Sequence, residues 1–379
     1  MPESAANYES PSIERVDVGA YKIPTDAHES DGTYEWDSTT IVVVHLHAAG
    51  TVGLGYTYTD ASAARLISVK LAPMIRGCSA MSIPENWSRL VNGCRNIGVQ
   101  GLCACAISAL DCAMWDLKAR LLNLPLVTLL GQAHASADLY ASGGFTSYSD
   151  EQLRSQMQGW AEQGFDRVKM KVGRRPAEDP RGVAIARAAI GEGVELFVDG
   201  NGAYSRSMAM EMASIFAAEF GVSWFEEPRP MDDVEGLRLV RDRAPPGMDI
   251  AAGEYGYRLP DFRGLLRGGA VDVLQADVTR CLGITGVQAV SALCEAHRVP
   301  LSFHCAPALS VHPACSLRPF VNIEYFHDHA RIEGMLFDGV PDPGGGIMTP
   351  DLSAPGNGMT FKHQDAAEFA IHPDHHAEV

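Results

Sequence analysis

From Phe165 to Gly173 the chain alternates apolar and cationic positions. Val168, Met170 and Val172 fall on one side of an extended segment, and Lys169 and Lys171 on the other. Taken alone, this is an edge strand with a solvated lysine face. The surrounding pattern overturns that reading, because short apolar runs alternate with stretches of helical length all the way to Glu324. Eight runs read as strands: Asp138–Ala141, Arg167–Lys171, Glu195–Asp199, Ser223–Glu226, Asp249–Gly253, Val271–Gln275, Pro300–Phe303 and Phe320–Glu324. Helices are expected near Asp150–Gln163, Gly182–Ile190 and Met208–Phe220. Eight parallel strands with crossover helices make a closed (β/α) barrel. A doubly wound open sheet would carry a Gly-x-Gly-x-x-Gly turn after its first strand, and none is present. In a barrel the helix-facing side of each strand must be apolar, which claims Val168, Met170 and Val172. Lys169 and Lys171 then point inward, where two ammonium groups require compensating anions.

The chain before the barrel has a different rhythm. Ile13, Val16 and Val18 give a patchy first strand, and Thr40–His47 and Val52–Tyr58 flank the hairpin signal Ala48-Ala49-Gly50-Thr51. Between them, Pro24–Trp36 is polar, turn-rich and aromatic, which predicts a long functional loop. A helix is expected over Val99–Leu122, where Ile107, Leu110, Met114, Leu117 and Leu121 recur at helical spacing. Ala106, Ala109 and Ala113 would let another helix approach it closely, and Asn123 and Pro125 end it. The predicted organisation is an α+β domain over residues 1–132 and a barrel over 133–341. A Pro- and Gly-rich segment, 342–379, then returns over the surface to the first domain.

Composition narrows the partners. With a formal charge of −17 over 379 residues, nucleic acid and anionic membranes are poor candidates, since both reward clustered Lys and Arg. Met1–Ser10 is polar, and no apolar run reaches the length of a membrane span, so a cytoplasmic protein is expected. The nine cysteines show no Cys-x-x-Cys spacing and read as free buried thiols. His372-Pro373-Asp374-His375-His376 is a stretch able to bind metal adventitiously.

Barrel chemistry is done at the C-terminal strand ends. Lys171, Asp199, Glu226, Glu254, Asp277, His304 and Glu324 stand at or just past successive predicted ends, 20 to 28 residues apart. Asp199, Glu226 and Glu254 come from three adjacent strands and offer only oxygen. That set favours Mg²⁺ over Zn²⁺, which would recruit His or Cys.

In combination, Lys169-x-Lys171, the Asp199/Glu226/Glu254 set and the Asp277/His304 pair followed by Glu324 resemble the enolase superfamily, and within it the mandelate racemase subgroup. Ala113-Met114-Trp115-Asp116-Leu117, continuing to Leu129-Leu130-Gly131, is similar to the capping-domain helix of that family. The resemblance implies an α+β capping domain over a modified TIM-type (β/α) barrel. It implies Mg²⁺-dependent removal of the proton next to a substrate carboxylate. Lys171 is then the base on one face and His304, oriented by Asp277, the acid/base on the other. Lys169 would lower the proton affinity of Lys171, and Glu324, if protonated, would donate to the substrate carboxylate. Glu227 is expected behind the metal ligands. Asn201, Glu227 and the cap residues His28, Trp36 and Tyr56 are the expected substrate contacts, with Tyr56 on a Gly53-Leu54-Gly55-Tyr56 turn. Cys305 is expected to be a packed thiol.

The first expectation for the reaction is dehydration of an aldonate or aldarate to a 2-keto-3-deoxy acid. The alternatives are racemisation or epimerisation, and a catalytically silent barrel that binds a metabolite. Muconate cycloisomerase or dipeptide epimerase chemistry would want a lysine where Asp277 stands. Zinc amidohydrolase chemistry would want His-x-His on the first barrel strand, and Leu139-Tyr140-Ala141-Ser142 has no histidine. A homo-oligomer acting on a small carboxylate is expected, with no nucleic acid or membrane partner.

Overall fold

The computed structural model describes residues 10–371, so the histidine-rich 372–376 lies outside the described residues. Three antiparallel strands, β1 (Arg15–Ser30), β2 (Glu35–Ala48) and β3 (Thr51–Tyr58), form the first sheet. The hairpin signal holds: Ala48 pairs with Thr51, and Ala49 and Gly50 take the left-handed conformation at φ 48° and 73°. The expected long loop does not. Residues 24–36 belong mostly to β1 and β2, joined by a tight turn in which Asp31 Oδ1 accepts from Thr33 N (2.6 Å) and Tyr34 N (2.7 Å). A polar side chain that binds its own backbone can close a hairpin without apolar residues, which is why composition misread the segment.

Gly53, Leu54 and Gly55 are likewise not a turn but the middle of β3. A Cβ on Gly55 would lie 2.2 Å from Ala109 O and 2.5 Å from Ala113 N of the Leu102–Leu121 helix. The small helix face at Ala109 and Ala113 therefore admits a strand, not the expected second helix.

Eight parallel strands follow: β4 (Ala137–Gly143), β5 (Arg167–Lys171), β6 (Glu195–Asp199), β7 (Val222–Glu226), β8 (Asp249–Ala252), β9 (Val273–Ala276), β10 (Leu301–Phe303) and β11 (Phe320–Phe326). Each pairs with the next, and β11 pairs back onto β4 through Glu324 and Tyr140, so the barrel is closed. Val168, Met170 and Val172 pack outward into the core shared with the helices. Inside, Tyr140, Phe197, Trp224, Ala251 and Val273 fill the barrel below the site. Phe197 and Trp224 stack there at 5.0 Å, and Lys169 Nζ sits 5.1 Å from the Tyr140 ring centre.

The sheet and barrel meet at the mouth. A Cβ on Gly32, at the β1–β2 turn, would lie 2.6 Å from Gly200 O and 2.7 Å from Val172 O, so the turn rests directly on the barrel rim. Arg174 pairs with Glu35 across the same junction. Asp111 of the Leu102–Leu121 helix accepts from Thr285 N (2.8 Å) and Thr285 Oγ1 (2.7 Å) in the first turn of the Gly283–His297 helix.

Residues 356–357 of the C-terminal segment contact the first domain. Asn357 N and Leu54 N both donate to the buried Asp116 carboxylate at 2.7 Å, and Arg120 Nε adds a third bond at 2.6 Å. Asp116 thus joins strand, helix and tail. Asp116→Ala leaves two backbone donors and a guanidinium without their acceptor, and is expected to lower the unfolding free energy by about 3 kcal/mol, measured by urea denaturation.

Candidate active site

Asp199, Glu226, Glu254, Lys171, Asp277, His304 and Glu324 come together at the mouth. Asp199 and Glu226 close β6 and β7, and Glu254 follows β8. One carboxylate oxygen from each lies within 4.8 Å of the others, and all three side chains are buried. Glu254 Oε2 receives no aligned hydrogen bond. Three converging, buried, oxygen-only donors fit a hard dication.

The cations expected to oppose them flank this triad. Lys169 Nζ donates to Glu226 Oε1 at 2.5 Å and lies 2.8 Å from Glu324 Oε1. Lys171 Nζ reaches Asp199 Oδ2 at 2.5 Å. At the other flank His304 Nε2 is 3.0 Å from Glu254 Oε2, while its Nδ1 donates to Asp277 Oδ2 at 2.8 Å. Strand order therefore puts Lys171 beside the Asp199 end of the triad and His304 beside the Glu254 end.

Burial works against each of these charges, and the neighbours decide the outcome. Glu226, Glu324 and Asp199 hold Lys169 well above the ordinary lysine range despite burial. Asp199 does the same for Lys171, outweighing the repulsion of Lys169. Lys169 does lower the proton affinity of Lys171, but by less than the neighbouring carboxylates raise it. His304 is likewise held well above its usual value, burial being outweighed by Cys305, Glu254 and Glu324. Burial pushes Glu324 up, but Lys169, His304 and Lys171 bring it well below the usual carboxylate range. Glu324 is thus an acceptor here, taking a bond from Ser142 Oγ at 2.6 Å, and not the protonated donor expected of it.

Left-handed backbone clusters at this mouth, with non-glycine φ of 43° at Asn201, 34° at Glu227, 53° at Cys305 and 44° at Ala306. Such conformations are held only where surrounding structure enforces them. At Asn201 the turn lets its backbone N–H donate to Asp199 Oδ1 at 2.8 Å, which aims that carboxylate.

A cavity of about 410 Å³ opens from Glu254, at one end of the triad, to the β1–β2 hairpin. Lys171, Asn201, Glu254, His304 and, from the cap, Trp36 line it. Three expected contacts do not. Tyr56 is buried, donating to Glu333 Oε1 at 2.6 Å and stacking on Phe337, whereas Tyr58, two residues nearer the mouth, stands on the wall. His28 is exposed beside Glu35, on the outer side of the hairpin. Glu227 is buried behind the triad, where desolvation and Glu254 push its pKa well up.

Cys305 is packed against Phe145 and Phe326 and also lines the cavity, with Sγ 3.2 Å from His304 Nε2. Arg280 was missed. It donates to Glu254 O at 3.1 Å, lies 3.4 Å from Asp277 Oδ2 and stacks on Tyr255. Its position three residues after Asp277 was the available signal. All nine cysteines are free. No helix among the described residues is long and apolar enough to cross a membrane.

Known proteins share this fold. The family profile "Enolase C-terminal domain-like" matches residues 152–366, and "Mandelate racemase / muconate lactonizing enzyme, N-terminal domain" matches 26–131. The crystal structure of a mandelate racemase/muconate lactonizing enzyme-like protein from Rubrobacter xylanophilus is 52% identical. It superposes with a TM-score of 0.93 over 95% of this chain and 100% of that one. The 3,6-anhydro-alpha-L-galactonate cycloisomerase of Streptomyces coelicolor is 32% identical over 95% of this chain and 99% of its own. L-talarate dehydratase from Polaromonas sp. JS666, whose structure is complexed with Mg and L-glucarate, is 29% identical, with a TM-score of 0.86 over 96% and 98% of the two chains. Barrel, cap and charged mouth together place this chain in the enolase superfamily, as an enzyme of its mandelate racemase subgroup.

Proposed function

We propose that the protein removes the proton α to the carboxylate of a hydroxylated sugar acid and expels the β-hydroxyl as water, giving a 2-keto-3-deoxy acid. The observation that carries this reading is the placement of Lys171 and His304 at opposite ends of one carboxylate triad. Asp199, Glu226 and Glu254 would hold Mg²⁺, the ion bound with L-glucarate in the L-talarate dehydratase structure. When bound, the ion would supply positive charge against the developing enediolate oxygen and would offset the Asp199 charge that holds Lys171 protonated.

Lys171 Nζ, reaching the substrate from β5, takes the α-proton. The C–H electron pair moves into the carboxylate and then into the new Cα–Cβ double bond as the β C–O bond breaks. His304 Nε2, with Nδ1 anchored by Asp277, gives its proton to the departing oxygen, and the enol product tautomerises to the keto acid. Lys169 and Arg280 add positive charge around the reacting carboxylate.

The wall opposite the triad narrows the substrate class. Asp31, Ser38, Thr39, Thr40, Thr59 and Asp60 come from the cap and offer hydroxyls and carboxylates. Among the described residues that line the cavity, the cap contributes no Lys, Arg or His. Ser62 hydrogen bonds hold the Asp60 carboxyl below its usual range, so it stays ionised. A second substrate carboxylate would meet like charge there, whereas neutral hydroxyls find partners. This supports a monocarboxylate such as an aldonate over an aldarate, in line with the galactonate named for the Streptomyces coelicolor relative. An anhydro-ring oxygen on the β carbon could leave in place of a hydroxyl by the same proton removal.

The two-ended arrangement of Lys171 and His304 also favours a second reading, epimerisation, in which the proton removed on one face is replaced from the other. In D₂O with Mg²⁺, Lys171→Ala and His304→Asn are each expected to lower product formation by about 10²–10⁴-fold. Product that keeps its β-oxygen and gains α-deuterium would replace dehydration with epimerisation, and full activity in both variants would remove either reading. EDTA is expected to abolish turnover and Mg²⁺ to restore it, followed as 2-keto acid release. Across matched aldonates and aldarates, kcat/KM is expected to favour the aldonate by about tenfold or more, the like-charge penalty at the cap wall being of the order of 1.4 kcal/mol.

A further inference from the structure

A second group of metal-ligating side chains lies outside the barrel, where β1 loses register. From Pro24, opposite Ser38, to Glu29, opposite Trp36, β1 advances five residues while β2 advances two. In a regular strand residues 26 and 29 would face opposite ways. The extra residues bring Asp26 and Glu29 together, facing His327 in the first turn of the His327–Leu336 helix after β11. One donor atom from each of the three lies within 4.8 Å of the others, and His327 Nε2 is 2.9 Å from Asp26 Oδ2.

Glu29 carries the independent sign of a missing ligand. Its side chain has no solvent exposure, and Oε2 accepts from Trp36 Nε1 at 2.8 Å. Oε1 is also buried and takes no bond from an N–H or neutral O–H donor, while the Glu29 carboxyl lies against that of Asp328. A buried carboxylate oxygen without a donor is costly. The Asp328 carboxylate next in sequence to His327 adds like charge, although Thr39 Oγ1 (2.7 Å) and Arg331 Nη2 (2.9 Å) donate to it.

We propose that Asp26, Glu29 and His327 form a second cation site, distinct from the Asp199–Glu226–Glu254 triad, that binds Zn²⁺ through two carboxylate oxygens and one imidazole nitrogen. The mixed donor set suits a borderline dication, whereas Mg²⁺ prefers oxygen alone. Three protein donors leave a fourth position for water. The ion would tie the cap strand β1 to the last barrel unit. Through the second oxygen of Glu29 it would also fix Trp36, which lines the substrate cavity.

The test is calorimetric titration of the metal-stripped full chain with Zn²⁺ in excess Mg²⁺, which occupies the triad. One Zn²⁺ per chain is expected. Its affinity should fall by about tenfold or more in Asp26→Asn and in His327→Gln, and should be kept in Asp199→Asn. Asp26 and His327 are both partly exposed, so these variants should fold, which far-UV circular dichroism checks. Anomalous diffraction from wild-type crystals at the zinc edge should place a peak among the three residues. Absence of Zn²⁺ uptake, binding that survives both cap-site variants, binding lost with Asp199→Asn, or no peak at this position would each overturn the proposal.

Discussion

Compensation between buried charges at the barrel mouth is the constraint on which the rest of the structure depends. Asp199, Glu226, Glu254, Asp277 and Glu324 face Lys169, Lys171, His304 and Arg280, nearly all of them shielded from solvent. Neither set is tolerable alone, because an isolated ion in such surroundings loses far more hydration than packing returns. Together they form a layer held at one depth. Below it Tyr140, Phe197 and Trp224 form a buried aromatic plug. That plug also orients the charges: Trp224 Nε1 donates to Glu226 Oε2 at 3.1 Å, so the middle ligand of the triad is fixed from beneath.

The same layer explains the strained backbone above it. Strands rising out of the plug must turn at once if their last side chains are to converge on a common centre. The left-handed residues at 201, 227, 305 and 306 make those turns. Asn123, Leu282 and Arg298 are left-handed as well, but they stand at helix ends and only start or stop a helix.

The barrel supplies the buried charges but only half of the cavity lining. The other half comes from the cap, and the two are joined by contacts that leave little freedom. These are the Gly32 turn on the rim, the Arg174–Glu35 pair, the Asp111 cap on Thr285 and the Thr57 Oγ1 bond to Thr279 O at 2.8 Å. The last of these ties β3 to the loop that carries Asp277 and Arg280. The cap half of the cavity wall is therefore positioned by the barrel groups that it faces.

Some of this was legible in the residues by themselves. The period-two alternation of Val168-Lys169-Met170-Lys171-Val172 fixes which side chains turn inward once a barrel is granted. The regular recurrence of one ionisable residue per strand–helix unit marks the mouth. Both are local periodicities, and a strand's side-chain alternation follows from covalent geometry alone. The tertiary structure alone decided the rest. Tyr56 and Tyr58 share a strand face, yet only Tyr58 meets the cavity, because Glu333 and Phe337 arrive over Tyr56 from the far end of the chain. The polar run at 24–36 became two paired strands because the pairing of β1 with β2 supplied backbone partners that its composition did not announce. The protonation of Lys171, Glu324 and His304 follows from distances between groups scores of residues apart. Electrostatic energy depends on those distances and on burial, and no order of residues along a chain specifies either.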